Sequence, residues 1–367
     1  MKRLAVLVII FVLGLTSIGL AEDDYYDPVM VNALVLEAGE AVTEEGMYEG
    51  IKVQHVRVQI KSGDYKGKVM DLENHLSDNV VYDIIVKEGD KVIVVIEEED
   101  GLMEVYITDF QRSNHILYLV IFFIGLILAI GKIKGLKAVI SLGLTVASIF
   151  YILLPLILKG ANPIPVSIAI AVGVTIATIL LVSGANYKSL SAILGTSAGV
   201  LVAGIISYYI GLKAHLTGLS SEEASMLIYI PQNIAFNFRN LLFAGIILGA
   251  LGAVMDVGMS IASSIDEIYN ANNQLSTKDL FKSGMNVGKD IMGTMTNTLI
   301  LAYAGSSIPL LLLFSAYETS LIKVLNLDLI ATEAVRSLAG SIGLVLTIPI
   351  TAFISSIMTK KQKRVKQ

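Results

Sequence analysis

The sequence predicts an α-helical polytopic membrane protein of about seven transmembrane helices, preceded by a small extracytoplasmic β-domain built as an OB-like barrel or a sandwich. Three observations carry that expectation. Of 367 residues, 54% are hydrophobic and only 16% charged, where a soluble chain carries about 25% charged residues. Beyond residue 115 the apolar residues collect into runs long enough to cross a hydrocarbon core of about 30 Å. Before that point the pattern is different: residues 22–112 alternate apolar and polar positions between turn signals.

In chain order, residues 1–21 have a basic start, an apolar run and a small-residue ending at Gly19 and Ala21. That is the pattern of a signal peptide or, uncleaved, a signal anchor, and it exports the segment C-terminal to it. The segments "VNALVLEA", "IKVQHVRVQI", "KGKVMDLE", "NVVYDIIV", "DKVIVVIEEE" and "LMEVYITD" fill residues 22–112. Their period of two, broken by "SGDYKG" and "KEGDK", argues for five or six short antiparallel strands. No aromatics stack among basic residues there, so a nucleic-acid partner is not expected.

The helical domain covers residues 113–358, with spans expected at 115–131, 136–158, 164–184, 189–212, 240–263, 290–314 and 335–358, and a basic tail at 359–367. With the β-domain outside, twelve Lys and Arg fall on inward segments and five on outward ones. That bias places the C-terminus in the cytoplasm and the chain in the inner, cytoplasmic membrane. The net charge of −5 averages an acidic N-terminal half with a basic tail.

Several functions are not signalled. Without cysteine there is no disulfide framework, thiolate metal site or cysteine nucleophile. The histidines, His55, His75, His115 and His215, form no close pair, and neither a nucleotide-binding loop nor a serine-hydrolase elbow is present. No enzyme, cofactor or metal site is therefore expected. The partners expected are the lipid bilayer, an ion or small solute, and a second copy of the chain or an envelope protein.

The polar groups within the spans are more informative. On a helical wheel Asp256, Ser260, Ser263 and Glu267 fall within about 60° of one another. Gly245, Gly249 and Gly252 continue that face outward, and small residues spaced by four let backbones pack closely. In span six Asp290, Thr294 and Asn297 share a face. In span seven the stripe is Glu333, Arg336, Gly340, Gly343, Thr347 and Thr351. The expected site is a polar cavity lined by Asp256, Ser260, Ser263, Asp290, Thr294, Asn297 and Thr347, with Gly245, Gly249, Gly252, Gly340 and Gly343 as packing positions. Simpler accounts exist for some members. Asp290 suits a helix N-terminus, Glu333 and Arg336 suit a surface ion pair of small worth, and Asp266 and Glu267 suit the solvated interface. Between spans five and six, Ser276 or Thr277 before an acidic residue reads as the start of an interfacial helix.

The stretches "LGAVMDVGMSIASSIDEI" and "GKDIMGTMTNTLILAYAGSSIPLLLLF", with the signal-like start and the β-rich segment, resemble the YibE/F-like bacterial membrane proteins. The resemblance covers most of residues 22–358 and is most specific over 245–315. It implies a multi-pass protein; members are mostly described only as candidate transporters or as uncharacterised membrane proteins, so the resemblance gives no substrate. Two functions are expected: a gradient-driven transporter or permease in which Asp256 binds a proton, cation or cationic solute, or a membrane-embedded scaffold or assembly factor whose exported β-domain binds a partner.

Overall fold

A computed structural model describes residues 29–43, 51–77, 79, 81–99, 102–230, 234–318 and 320–364. The signal-like residues 1–21 lie outside the described set. The chain divides into two compact units, Met1–Leu126 and Ile127–Gln367, each with an apolar core of its own.

The first unit is one antiparallel sheet of six strands: β1 Val29–Ala38, β2 Val42–Thr43, β3 Lys52–Ile60, β4 Val69–Leu76, β5 Lys91–Glu99 and β6 Leu102–Phe110. They run in the order β2-β3-β1-β5-β6, with β4 on β3. The alternation read in the sequence sets the inner face. Val31, Ala33 and Val35 of β1, Val56, Val58 and Ile60 of β3, and Val92, Val94 and Ile96 of β5 are all buried. Burying a large apolar side chain of this kind contributes about 1.5–3 kcal/mol. Bulges at Val35/Glu37 and Ile93/Val94 bend the sheet.

One expected strand does not form. "NVVYDIIV" is irregular where described, because side chains claim its backbone. The carboxamide of Asn74 donates to the Ile84 carbonyl (2.7 Å) and that of Gln54 to the Val86 carbonyl (2.8 Å), while Val86 N–H donates to Gln54 Oε1. Gln54 and Asn74 are buried cross-strand neighbours, so these bonds stand in for a ladder.

The helices are α1 Ser113–Ser148, a π-turn at Ile149–Leu153, α2 Leu154–Leu158, α3 Pro163–Ser183, α4 Tyr187–Lys213, α5 Glu222–Met226, a 3₁₀ turn at Leu227–Tyr229, α6 Phe238–Ala271, α7 Thr277–Ser306, α8 Ile308–Ala316, α9 Leu321–Leu325 and α10 Asp328–Arg364. Asn162, Asn186 and Asn237 start α3, α4 and α6 by accepting from backbone N–H groups of the first turn.

Among the described residues five helices are long and apolar enough to cross a membrane, or six if the pair α7–α8, bent by 60°, is counted as one. Ser113–Leu158 stands in that count as one 46-residue span, about 69 Å at 1.5 Å per residue and far longer than one crossing needs. It is not a continuous rod: Lys132, at φ 48° and ψ −123°, breaks α1 between the two spans expected there.

The helix expected to lead into span six is the first part of α7. Ser276 and Asp279 form a reciprocal cap, Ser276 Oγ accepting from Asp279 N–H and Asp279 Oδ2 accepting from Ser276 N–H, each at 3.1 Å. From there α7 runs unbroken to Ser306.

In the second unit α6 is the central element, packed by α3, α4, α7 and α10. Its Ile247, Ala250, Val254, Val257, Ile261 and Ile265 are buried and join one apolar core with Leu344, Ile348 and Ala352 of α10.

Candidate functional site

The two sides of α6 differ. Gly245, Gly249, Gly252, Asp256 and Glu267 are exposed, Ser260 and Ser263 half-buried, so the polar stripe read on the wheel lies on an outward side of the helix. A methyl group added at Gly245 or Gly252 would meet nothing within 4 Å, and one at Gly249 would meet only the Tyr303 hydroxyl, at 2.8 Å. Among the described residues, therefore, no side chain or other helix closes on Gly245 or Gly252.

Helix α7 supplies the neighbouring wall. Gly284 lies against Ile265, Gly288 against Ile261, and Gly249 against Tyr303, so each step down α6 matches a step up α7. Asp256 is thereby level with the Gly293–Thr296 turn. Asp290, Thr294 and Asn297 are exposed on α7. The Thr294 hydroxyl donates to the Ile291 carbonyl at 3.0 Å and that of Thr298 to the Thr294 carbonyl at 2.9 Å. Neither Asp256 nor Asn297 has a hydrogen-bond or ion-pair partner among the described residues. Asp290 sits more than three turns into α7, which removes the helix-terminus account of it.

Thr347 is elsewhere. It is fully buried between α4, α6 and α10, its hydroxyl donating to the Gly343 carbonyl at 2.8 Å. Thr347 thus stands apart from the expected site, while Asp256 and Asn297 lie near one level on the neighbouring helices α6 and α7.

Thr347 belongs to a second polar cluster, a seam in which glycines face threonine hydroxyls. A methyl at Gly195 would overlap Thr351 Oγ1, one at Gly199 would overlap Thr347 Oγ1, and one at Gly258 would lie 2.5 Å from Thr196 Oγ1. Each hydroxyl fills the space of a missing side chain, the close approach that small residues allow between membrane helices. A methyl at Gly343 would meet the Gly199 carbonyl and Ala203 Cβ, both at 2.7 Å, and one at Gly340 would meet Leu299 Cδ2 at 3.0 Å. The hydroxyls of Thr196, Thr351, Ser341 and Ser355 are buried without a partner. Between Thr347 and Thr351 of α10 stands Pro349, which lacks the N–H that would bond the Val345 carbonyl.

The α4 side of this seam was not singled out in the sequence. Its signal is Gly195, Gly199 and Ala203, spaced by four and matched by Gly343, Thr347, Thr351 and Ser355 on α10.

Near the start of α10, Arg336 and Glu333 pair at 2.6 Å with side-chain exposures of 31% and 21%, and Glu333 Oε2 and Arg336 Nε are buried and unpaired. The pair is more enclosed than a surface ion pair.

In the β-unit, residues of β1, β3, β4 and β6 line an open cleft of about 960 Å³. Arg57 bridges it, bonded to Asp71 (2.7 Å) and Glu37 (3.0 Å). The Asp71 hydrogen bond, then the Asp71 and Glu37 charges, raise the Arg57 pKa. His55, His75, Glu73 and Glu104 also line the cleft, yet no group of three metal-ligating side chains comes together among the described residues.

The profile described as YibE/F-like protein matches residues 119–361, and that described as YibE/F family N-terminal domain matches residues 27–110. The chain belongs to the YibE/F-like family. The two matched segments cover the helical unit and the sheet, so this family joins an antiparallel β-domain to a multi-helix region with the apolar helices of a membrane protein. Among curated proteins and solved structures nothing matches.

Proposed function

We propose that the chain is a transporter or permease of the cytoplasmic membrane, moving a proton, cation or cationic solute down or against an ion gradient. It crosses the membrane seven times, with the break at Lys132 separating the first two crossings and the bent α7–α8 pair making the sixth. The exported β-domain stands outside and the basic tail inside, as the Lys and Arg distribution directs.

One observation carries this reading. Asp256 lies midway along an apolar helix and is exposed, near the level at which Thr294 and Asn297 are exposed on the neighbouring α7. An ionised carboxylate at the centre of a span costs about 2.5–3.5 kcal/mol on insertion scales. Intramembrane carboxylates therefore face polar cavities or partners. Asp256 is the group assigned to bind the cation or proton, with Ser260, Ser263, Thr294 and Asn297 orienting it and Asp290 at the inner approach. Thr347 is assigned instead to the seam, two residues before Pro349, where α10 lacks one backbone hydrogen bond.

Proteoliposomes carrying an internal pH dye test this. Addition of Na⁺, K⁺, Mg²⁺ or Ca²⁺ to vesicles with an imposed pH gradient should collapse it, and Asp256→Asn should slow the collapse at least about tenfold, the scale of one lost charge interaction of about 1.4 kcal/mol. An unchanged rate in that variant, or no rate above protein-free vesicles for any of the cations, counts against the assignment.

The β-domain cleft favours a second reading, a scaffold whose exported domain binds a partner while the helices anchor it. Single cysteines decide between them, because the native chain has none. Labelling of Ser260→Cys and Asn297→Cys, both assigned to the cation site, by a membrane-impermeant maleimide supports transport; protection of both favours the scaffold.

A further inference from the structure

The polar side of α6 and α7 is open in the single chain. We infer that a second copy of this chain closes it, packing α6 and α7 against the same two helices of its partner, so that the Asp256 site is complete only in the dimer. The inference rests on reading these helices as membrane spans, and it would stand whatever solute is carried.

Three features argue for a second copy. Gly245 and Gly252 meet nothing within 4 Å, whereas Gly195, Gly199 and Gly258 of the α4–α6–α10 seam each face a threonine hydroxyl. A backbone surface this bare accepts another helix at close range. Secondly, Asp256 offers only acceptors and Asn297 offers two N–H donors; both are exposed and lie within one turn of the same level. A two-fold axis along the membrane normal preserves level, so packing α6 of one copy on α7 of the other brings the Asp256 carboxylate and the Asn297 carboxamide to one depth.

The third feature is charge. Ile265 is level with Gly284, so Glu267, two residues further on, is level with Lys282, two residues earlier on α7. Both are exposed. The same axis brings Glu267 of one copy to Lys282 of the other, twice per dimer, at the inner end where the helices emerge. Glu267 against Lys282 makes the inner end of the surface complementary to itself, as an isologous contact requires.

Single cysteines on the otherwise cysteine-free chain test this in native membranes. Differently tagged Gly252→Cys and Asn297→Cys chains, co-expressed, should cross-link to each other on mild oxidation, and Ile205→Cys, on the exposed side of α4, should give no cross-linked dimer. Differently tagged Glu267→Cys and Lys282→Cys chains, co-expressed, should cross-link to each other. Because substitution at Gly252 could itself disturb packing, the cysteine-free chain should also be counted by single-molecule photobleaching in liposomes over a range of lipid dilution. Two-step bleaching should dominate, with the dimer dissociating at about tenfold lower dilution in Glu267→Lys and recovering in Glu267→Lys/Lys282→Glu. Single-step bleaching throughout, cross-links no more frequent between 252 and 297 than at 205, or cross-links only to a different protein would each overturn the inference. Loss of the dimer with Asp256-dependent flux retained would overturn this inference alone. Loss of flux with the dimer retained would overturn only the transport reading.

Discussion

The two flanks of α6 are built from the same residue types and meet opposite fates. On the flank facing α4 and α10, Gly258 receives the Thr196 hydroxyl, and the facing helices repeat the arrangement with Gly195 on Thr351 and Gly199 on Thr347. On the flank beside α7, Gly245 and Gly252 meet nothing and Asp256 is exposed. A glycine in a span marks a place where something can come close; only the neighbour decides whether it is already there.

The largest effect expected is at Gly199. Gly199→Leu would drive a side chain into Thr347 and the Gly343 carbonyl, and should leave no folded protein in detergent extracts by size exclusion. The milder Gly199→Ala should cost about 1–3 kcal/mol, the usual range for overpacking, whereas Gly252→Ala should leave thermal unfolding unchanged or raise stability by about 0.5–1 kcal/mol through helix propensity. Equal losses at the two glycines would break the comparison.

Polar groups sharpen it further. Asn74→Leu strips partners from the Ile84 carbonyl and Gln54 in the β-unit and should cost about 1–3 kcal/mol, read as faster proteolysis of the sheet in the intact protein. Ser355→Ala removes a buried hydroxyl that has no partner, and thermal unfolding should shift by less than about 1 kcal/mol, toward greater stability. Smallest is a pH effect. The Asp109 carboxyl is held below its ordinary value of 3.8, first by its hydrogen bond from Arg112 and then by the Phe110 N–H. That stabilisation is fully present above the ordinary value and is lost as pH falls through the lower folded one. Asp109→Asn should therefore flatten the acid end of a proteolysis-versus-pH curve and leave neutral pH almost unchanged.

Much of the fold was legible because single periods encode it. Period two marked β1, β3, β4, β5 and β6, and apolar length marked the long helices. What misled at "NVVYDIIV" was a pair of side chains, Gln54 and Asn74, that occupy its backbone groups; no alternation reveals such a capture. In the site, the wheel placed Asp256 with Ser260 and Thr294 with Asn297, and their shared level comes from antiparallel helices. It could not tell that Thr347 faces Gly199 and Asp256 does not, since a wheel gives directions within one helix and no neighbours. The α4 seam needed two matching four-residue spacings on helices far apart in sequence, a coincidence visible only once they are paired.

That doubled spacing leaves the helix register nearly degenerate. Sliding α10 along α4 by one turn, about 5.4 Å, would again set a threonine on a glycine, Thr347 on Gly195, and would lay Gly343 on Gly199. Sliding the other way is barred, because Thr347 would then meet Ala203, where Gly343 now fits so closely that even an added methyl would lie 2.7 Å away. In the permitted direction the same displacement would replace Gly340 by Arg336 against Leu299 and Ala250, setting a guanidinium on two apolar side chains. The seam itself is a track with repeating notches, and the fits outside it, Ile348 against Gly288 and Leu299 against Gly340, single out the notch that α10 occupies.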